Sequence, residues 1–269
     1  MESISVDLSD RIIDNNDYEI LLQPNERFNL TDIMVCYSDG IDTKVVPLDV
    51  MKKFPILYDV MEIIEDNKTN KKHISLALCP FTLATCLYEE KLIPTQYVNN
   101  SCLVVRTLTD KTSFDIVQGS KSIVRYEVSI KTLRNVFTDH VHAKYISVNK
   151  KKIDKFTNII DDQNYYNDNT LIYDKTSDTD YKNNKNINNN IVPKMLVHVI
   201  VYISSITQKH KSTVIVGKKS VDWYDIHQSG VSRYLDDQAD MLTEKNGFIM
   251  PILWFAWKSF FPDSKVIFI

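Results

Sequence analysis

Glycine is scarce in this chain, with only 5 in 269 residues. Phosphate cradles of the P-loop and dinucleotide-fingerprint types need several closely spaced glycines, because backbone N–H groups must approach the phosphate. No such cluster exists, so nucleotide-binding sites of those two types are not expected. Cysteine is sparse as well. Its 4 copies, at positions 36, 79, 86 and 102, are too few for a disulfide-stapled scaffold, and a reduced, intracellular setting is expected. No apolar run reaches the roughly 18 residues of a membrane-spanning helix. The longest candidates, MLVHVIVYISSI (195–206) and FIMPILWFAWKSFF (248–261), fall short. The start, MESISVDLSDRIIDNNDYEI, is acidic and polar, so no secretory leader is expected.

A large excess of one charge sign is missing too. Lys plus Arg total 32 against 35 Asp plus Glu, a formal net charge of -3. Without a basic excess there is no whole-molecule attraction to a polyanion, and nucleic acid is not an expected partner. The basic spots at 71–72, 149–152 and 209–211 lack interleaved aromatics, so each reads as solvated loop charge.

What is present is ordinary globular material, 43% hydrophobic and 25% charged, enough for a sizeable core. Residues 151–193 break the pattern. They are Asn- and Asp-rich, without sustained apolar periodicity, and bury too little surface to offset ordering entropy. They read as a flexible insertion within a single domain spanning 1–269, rather than as a linker between two domains, 1–150 and 194–269. The dominance of Asn, Lys, Ile, Asp and Tyr points to AT-rich coding, as in giant DNA viruses of protists and in some protists.

DIMVCYS (32–38) and TKVVPLD (43–49) flank DGID and predict a hairpin. LDVMKKFPILYDVMEIIED (48–66) has helical spacing through Val50, Phe54, Leu57, Met61 and Ile64, with Pro55 as a kink or first turn. Strands are expected at 73–79, 82–88, 102–107, 113–118 and 122–128, and a short helix at 128–139. KMLVHVIVYISSIT (194–207) and KSTVIVGKK (211–219) predict a second hairpin. Helices are expected at 229–243, capped by Ser229, and at 251–261, with Pro251 in its first turn. SKVIFI (264–269) reads as a closing strand. The fold class is α+β: a mainly antiparallel sheet with three or four short helices, interrupted by the disordered Asn-rich insertion.

Candidate chemistry centres on HISLALCPFTLATCLYEE (73–90). On a strand, Ile74, Leu76 and Leu78 face the core, while His73, Ser75, Ala77 and Cys79 share the other face. Cys79 is therefore the candidate nucleophile. His73 is the candidate base on the same face, though about 20 Å away along one strand. In a hairpin Cys86 would lie across from Ser75, too far from Cys79 for a disulfide, which needs Cα atoms within about 7 Å. Packing of both thiols inside a sheet is the simplest reading. HVH (140–142) could place His140 and His142 on one strand face, but no third ligand is evident and no metal is expected. Asp222, Asp225 and His227, ahead of Asp236 and Asp237, read more simply as carboxylates near a helix start than as an acid–base cluster. In WFAWKSFF (254–261) aromatics surround the helix, as in a buried core element.

Three stretches together resemble an uncharacterised bacterial and archaeal family, domain-of-unknown-function family 3179. VVPLDVM (45–51) is similar to its Tyr-Pro-Leu strand end, and ISLALCPFT (74–82) to its Cys-Pro-Leu-Cys/Thr strand, with Cys79, Pro80 and Thr82 in register. LWFAWKSFFPDSKVI (253–267) is similar to its Trp-x-x-Trp…His-Pro-Asp-Thr segment, with Trp257, Pro262 and Asp263 in register. Where the family has Trp-His-Glu this chain reads Lys53-Phe54-Pro55, and Phe261 replaces the C-terminal histidine. Chemistry built on those groups would be lost here. The resemblance implies a fold more than an activity. The expectation is a non-enzymatic structural or interaction protein, such as a giant-virus virion component, with virion or host proteins as partners and no cofactor. The alternative is a thiol-dependent enzyme or redox protein using Cys79.

Overall fold

The computed structural model describes residues 2–4, 7–65, 68–120, 122–160, 196–203, 210–216, 248–261 and 264–268. Strands dominate, and four short helices occur among the described residues.

Sequence hydropathy and turn chemistry explain the first elements. Ile33–Ser38 (β4) and Thr43–Pro47 (β5) pair antiparallel around Asp39–Asp42, as DGID predicts. Gly40 takes φ +92°, the left-handed region that favours glycine. Leu48–Lys53 (α1) follows, but the expected helix stops there. Residues 56–65 form a long strand, Ile56–Glu65 (β6), instead. Pro55 is the cause: it has no N–H to continue the helix and pushes Phe54 into extended backbone at φ -124°, ψ 91°. Beyond it, Ile56 and Leu57 are both buried, so β6 is covered on both faces at its start, while farther along Asp59 and Met61 stay buried and Tyr58 and Val60 are partly exposed. Lys68–Leu78 (β7) returns antiparallel to β6, and Thr85–Tyr88 (β8) turns back along β7. Ile12–Ile13 (β2) and Arg125–Tyr126 (β12) complete this sheet in the order β12-β8-β7-β6-β2.

Val128–Thr132 (β13), Lys144–Val148 (β14) and Tyr18–Leu21 (β3) extend the hairpin sheet to the order β13-β4-β5-β14-β3. The expected helix at 128–139 is thus a strand followed by Leu133–Asp139 (α2), capped by Thr132, whose hydroxyl accepts from the Asn135 N–H at 3.3 Å. One face of this sheet gives Val35, Tyr37, Val46 and Ile146 to the main core. The other gives Met34, Cys36, Val45 and Tyr145 to a second core under α2.

A third sheet, β1-β9-β10-β11, contains Glu2–Ser3 (β1), Leu92–Asn99 (β9), Cys102–Thr107 (β10) and Ser113–Asp115 (β11). The fourth holds Leu196–Ile203 (β15), His210–Val216 (β16), Phe248–Leu253 (β17) and Lys265–Phe268 (β18), ordered β17-β15-β16-β18. Pro251 lies in β17 rather than in a helical first turn. An edge strand tolerates its missing donor, and the helix starts only at Trp254, as Trp254–Phe260 (α4). Trp254, Phe255 and Trp257 are buried, as the all-round aromatic pattern predicts. Most pairings are antiparallel, as expected; β2 with β6, β14 with β5 and β16 with β18 are parallel.

Part of the segment read as an insertion packs onto the fold. Lys150–Ile153 (α3) follows the Asn149 cap, Arg11 donates to the Thr157 carbonyl at 2.8 Å, and Phe156 meets Phe54 edge-on. Residues 161–195, and the expected helix at 229–243 with Ser229, lie outside the described residues. No described helix is long and apolar enough to cross a membrane.

Candidate functional site

Cys79 sits one residue beyond the end of β7, at the start of the turn to β8. Its carbonyl accepts from the Leu83 N–H at 2.8 Å, and its own N–H donates to the Ala84 carbonyl at 2.8 Å. Leu83 closes this single helical turn at φ 55°. A left-handed residue commonly ends such a turn, but a buried leucine is an unusual one to do so. The Thr82 side-chain oxygen accepts from the Ala84 N–H at 3.3 Å, while the Thr82 carbonyl accepts from the Leu253 N–H at 2.7 Å. The turn is thereby tied to the start of α4.

The other wall comes from the β9–β10 hairpin. Asn100 and Ser101 form its two-residue turn, at φ 46° and 61°. Two consecutive left-handed residues suit the right-handed twist of a hairpin. This turn fixes where the next two residues emerge. The Leu103 N–H donates to Cys79 Sγ at 3.2 Å, and the Cys79 thiol faces the Ser101 carbonyl at 3.6 Å. Cys102 thus stands between the two backbone groups that meet this sulfur.

The electrostatics of the pair are opposed. Burial pushes the Cys79 thiol up. Donors from the Cys102 thiol, the Thr82 hydroxyl and the backbone N–H groups of Leu103 and Thr82 outweigh it and hold Cys79 below the ordinary thiol value. Burial and the adjacent Cys79 sulfur hold Cys102 well above it. The remaining thiols are core residues: burial pushes Cys36 up to about 12 and Cys86 up to about 11. All four cysteines are free and buried.

The structure does not bring the two expected catalytic residues together. His73 is exposed in the middle of β7, opposite Val60, and Cys79 is fully buried beyond the end of that strand. Ser75 and Ala77 are buried as well, so the face expected to be polar is covered over its last turn of sequence. The turn from 79 to 84 is longer than a tight hairpin, so Cys86 pairs with Ala77 rather than Ser75. His140 and His142 are not on a strand. His140 is the C-cap of α2, with Nε2 3.2 Å from Lys131 Nζ and Nδ1 3.4 Å from Thr43 Oγ1. Among the described residues no group of three His, Cys, Asp or Glu is placed to hold a metal ion. Asp222, Asp225, His227, Asp236 and Asp237 lie outside the described residues.

Sequence reasoning missed Cys102 as the neighbour of Cys79. The two are separated by a whole hairpin and share no spacing motif, so only the tertiary contact reveals them. No family model, no curated protein and no solved structure matches this chain.

Proposed function

We propose that this chain is a non-enzymatic structural or interaction protein. One observation carries the reading: the best-placed nucleophile, Cys79, has no exposed surface and is held by a thiol, a hydroxyl and backbone donors rather than by a base. A thiol acting on a substrate needs access and a proton acceptor. Here the sulfur instead joins a β7–β8 turn, a hairpin tip and, through Thr82, the C-terminal helix. The stretches that resemble the uncharacterised family around Cys79 and around Trp257 meet at the Thr82–Leu253 hydrogen bond, which supports a role for these residues in holding the fold.

The interaction half of the reading is supported by the outer side of the β13-β4-β5-β14-β3 sheet. Tyr145 there has ring contacts with Phe28 at 5.9 Å and with Phe137 at 6.2 Å. Phe137 is 41% exposed, and Leu22, next to the edge strand β3, is 78% exposed. β3 ends this sheet among the described residues, and exposed apolar side chains beside such an edge suit contact with another protein. Its proposed setting, a giant-virus particle, rests on residue composition alone.

The test is alkylation of the native chain with a maleimide, read by peptide mass. Cys79 stays unmodified in the folded protein and reacts once the chain is unfolded. Rapid native modification of Cys79 at neutral pH would overturn this reading and favour a thiol-dependent enzyme.

A further inference from the structure

We propose that Cys79 and Cys102 are a redox-convertible pair, which a peroxide closes to a disulfide tying the β7–β8 turn to the β9–β10 hairpin. The geometry singles out these two thiols among the four. The Leu103 N–H lies 3.2 Å from Cys79 Sγ, and Leu103 directly follows Cys102. The Ser101 carbonyl, on the other side of Cys102, lies 3.6 Å from the same sulfur, so Cys79 Sγ sits against the backbone on both sides of Cys102. The Asn100–Ser101 turn, with both residues left-handed, holds Cys102 at that spot. Cys86 turns its sulfur to the Leu87 carbonyl at 3.9 Å, and Cys36 turns its own to the Met34 carbonyl at 3.9 Å in the separate core under α2.

The donors around Cys79 also set the order of events, because they favour its thiolate while Cys102 keeps its proton. The Cys79 thiolate attacks one peroxide oxygen and the O–O bond breaks. This gives a sulfenic acid and releases hydroxide, which takes up a proton to become water. The Cys102 sulfur then attacks the sulfenic sulfur. The S–S bond forms, and the sulfenic oxygen leaves as a second water with the Cys102 proton. Two electrons pass from the thiols to one peroxide. Hydrogen peroxide is little larger than water, so a smaller local opening admits it than admits a maleimide. The proposal therefore does not depend on the non-enzymatic reading, which rests on the larger reagent.

The experiment treats the folded full-length chain with hydrogen peroxide, removes the peroxide with catalase, and denatures the chain in the presence of N-ethylmaleimide. The reduced chain carries four thiols and takes four adducts. The expected result after peroxide is loss of two adducts, restored by a reductant, with the peptides holding Cys79 and Cys102 linked. In Cys86→Ser the linkage persists. In Cys102→Ser the linkage disappears and dimedone labels Cys79. Retention of all four adducts, or a linkage through Cys36 or Cys86, overturns the proposal. If Cys102→Ser does not fold, the linkage map of the unsubstituted chain decides alone.

Discussion

Lys44, on the inner face of the β13-β4-β5-β14-β3 sheet, and Asp59, on β6, form a buried two-pronged ion pair, with Nζ 2.9 and 2.7 Å from the carboxylate oxygens. Asp39 adds a third contact at 3.0 Å, and the Tyr37 hydroxyl donates to Asp59 at 2.8 Å. The network pins two sheets together, and its charges are almost completely withdrawn from solvent. Substituting Asp59→Leu leaves a buried ammonium short of its main partner and costs about 3–5 kcal/mol. The double variant Lys44→Met/Asp59→Leu recovers part of that loss, because the unpaired ammonium is gone while the Asp39 carboxylate keeps only its N–H donors from Ile41 and Asp42. Guanidinium unfolding of the four members of this cycle checks both statements.

Asp39 gives the fold a defined acid sensitivity. Burial raises its carboxyl, but N–H donors from Asp42 and Ile41, together with the Lys44 ammonium, outweigh that and hold it below 3.8. A group depressed in the folded state stabilises fully above its unfolded value, and this contribution fades as pH falls through the folded value. The unsubstituted chain therefore loses stability below pH 3.8 more steeply than Asp39→Asn does. Burial raises Asp115 instead, a contribution of opposite sign that is common to both chains and cancels in the comparison. Thermal melts from about pH 5 to about pH 2.5 read the difference in slope.

Gly40 tolerates no side chain. An added Cβ would sit 2.2 Å from the Glu62 carbonyl oxygen, and the Glu62 N–H is itself bound to the Asp39 carbonyl at 2.8 Å, so the backbone cannot withdraw. Gly40→Ala costs about 3 kcal/mol by thermal denaturation, from a left-handed φ and a backbone collision together. At Gly119 the obstacle is the Arg125 guanidinium, a movable side-chain end, and Gly119→Ala costs about 1 kcal/mol.

Ser75 is fully buried because it has two bonds to make. Its hydroxyl donates to the Glu90 carbonyl at 2.6 Å and accepts from the Leu92 N–H at 3.0 Å. Ser75→Ala strands a buried donor and an acceptor and costs about 2 kcal/mol. Hydrogen exchange at the Leu92 amide accelerates in the variant.

Local chemistry wrote some elements legibly. DGID and its flanking alternation specified the β4–β5 hairpin. The β-branched runs specified β15 and β16, and the aromatic shell of α4 specified a core helix. The stripe misled because residues four apart, such as Leu57 and Met61, share one face of a strand as readily as one face of a helix. Only Pro55 held the deciding signal. Pro251 misled for the converse reason, since an edge strand accepts a proline that also suits a helix start. At the site, packing of Cys79 and Cys86 inside the sheet was legible, but the partner that covers Cys79 was not, because it is a hairpin tip a whole element away. His73 was legible as a histidine on the same strand; the distance to Cys79, fixed by the strand rise, already told against their cooperation.

The central claim is that Cys79 is part of the folded architecture, and pulsed alkylation across a urea series tests it most directly. If the sulfur is enclosed by the turn, the hairpin and α4, its modification at low urea is slow and rises with the same urea dependence as global unfolding, in step with Cys102. A modification rate that is independent of urea and close to that of an exposed thiol would contradict the account.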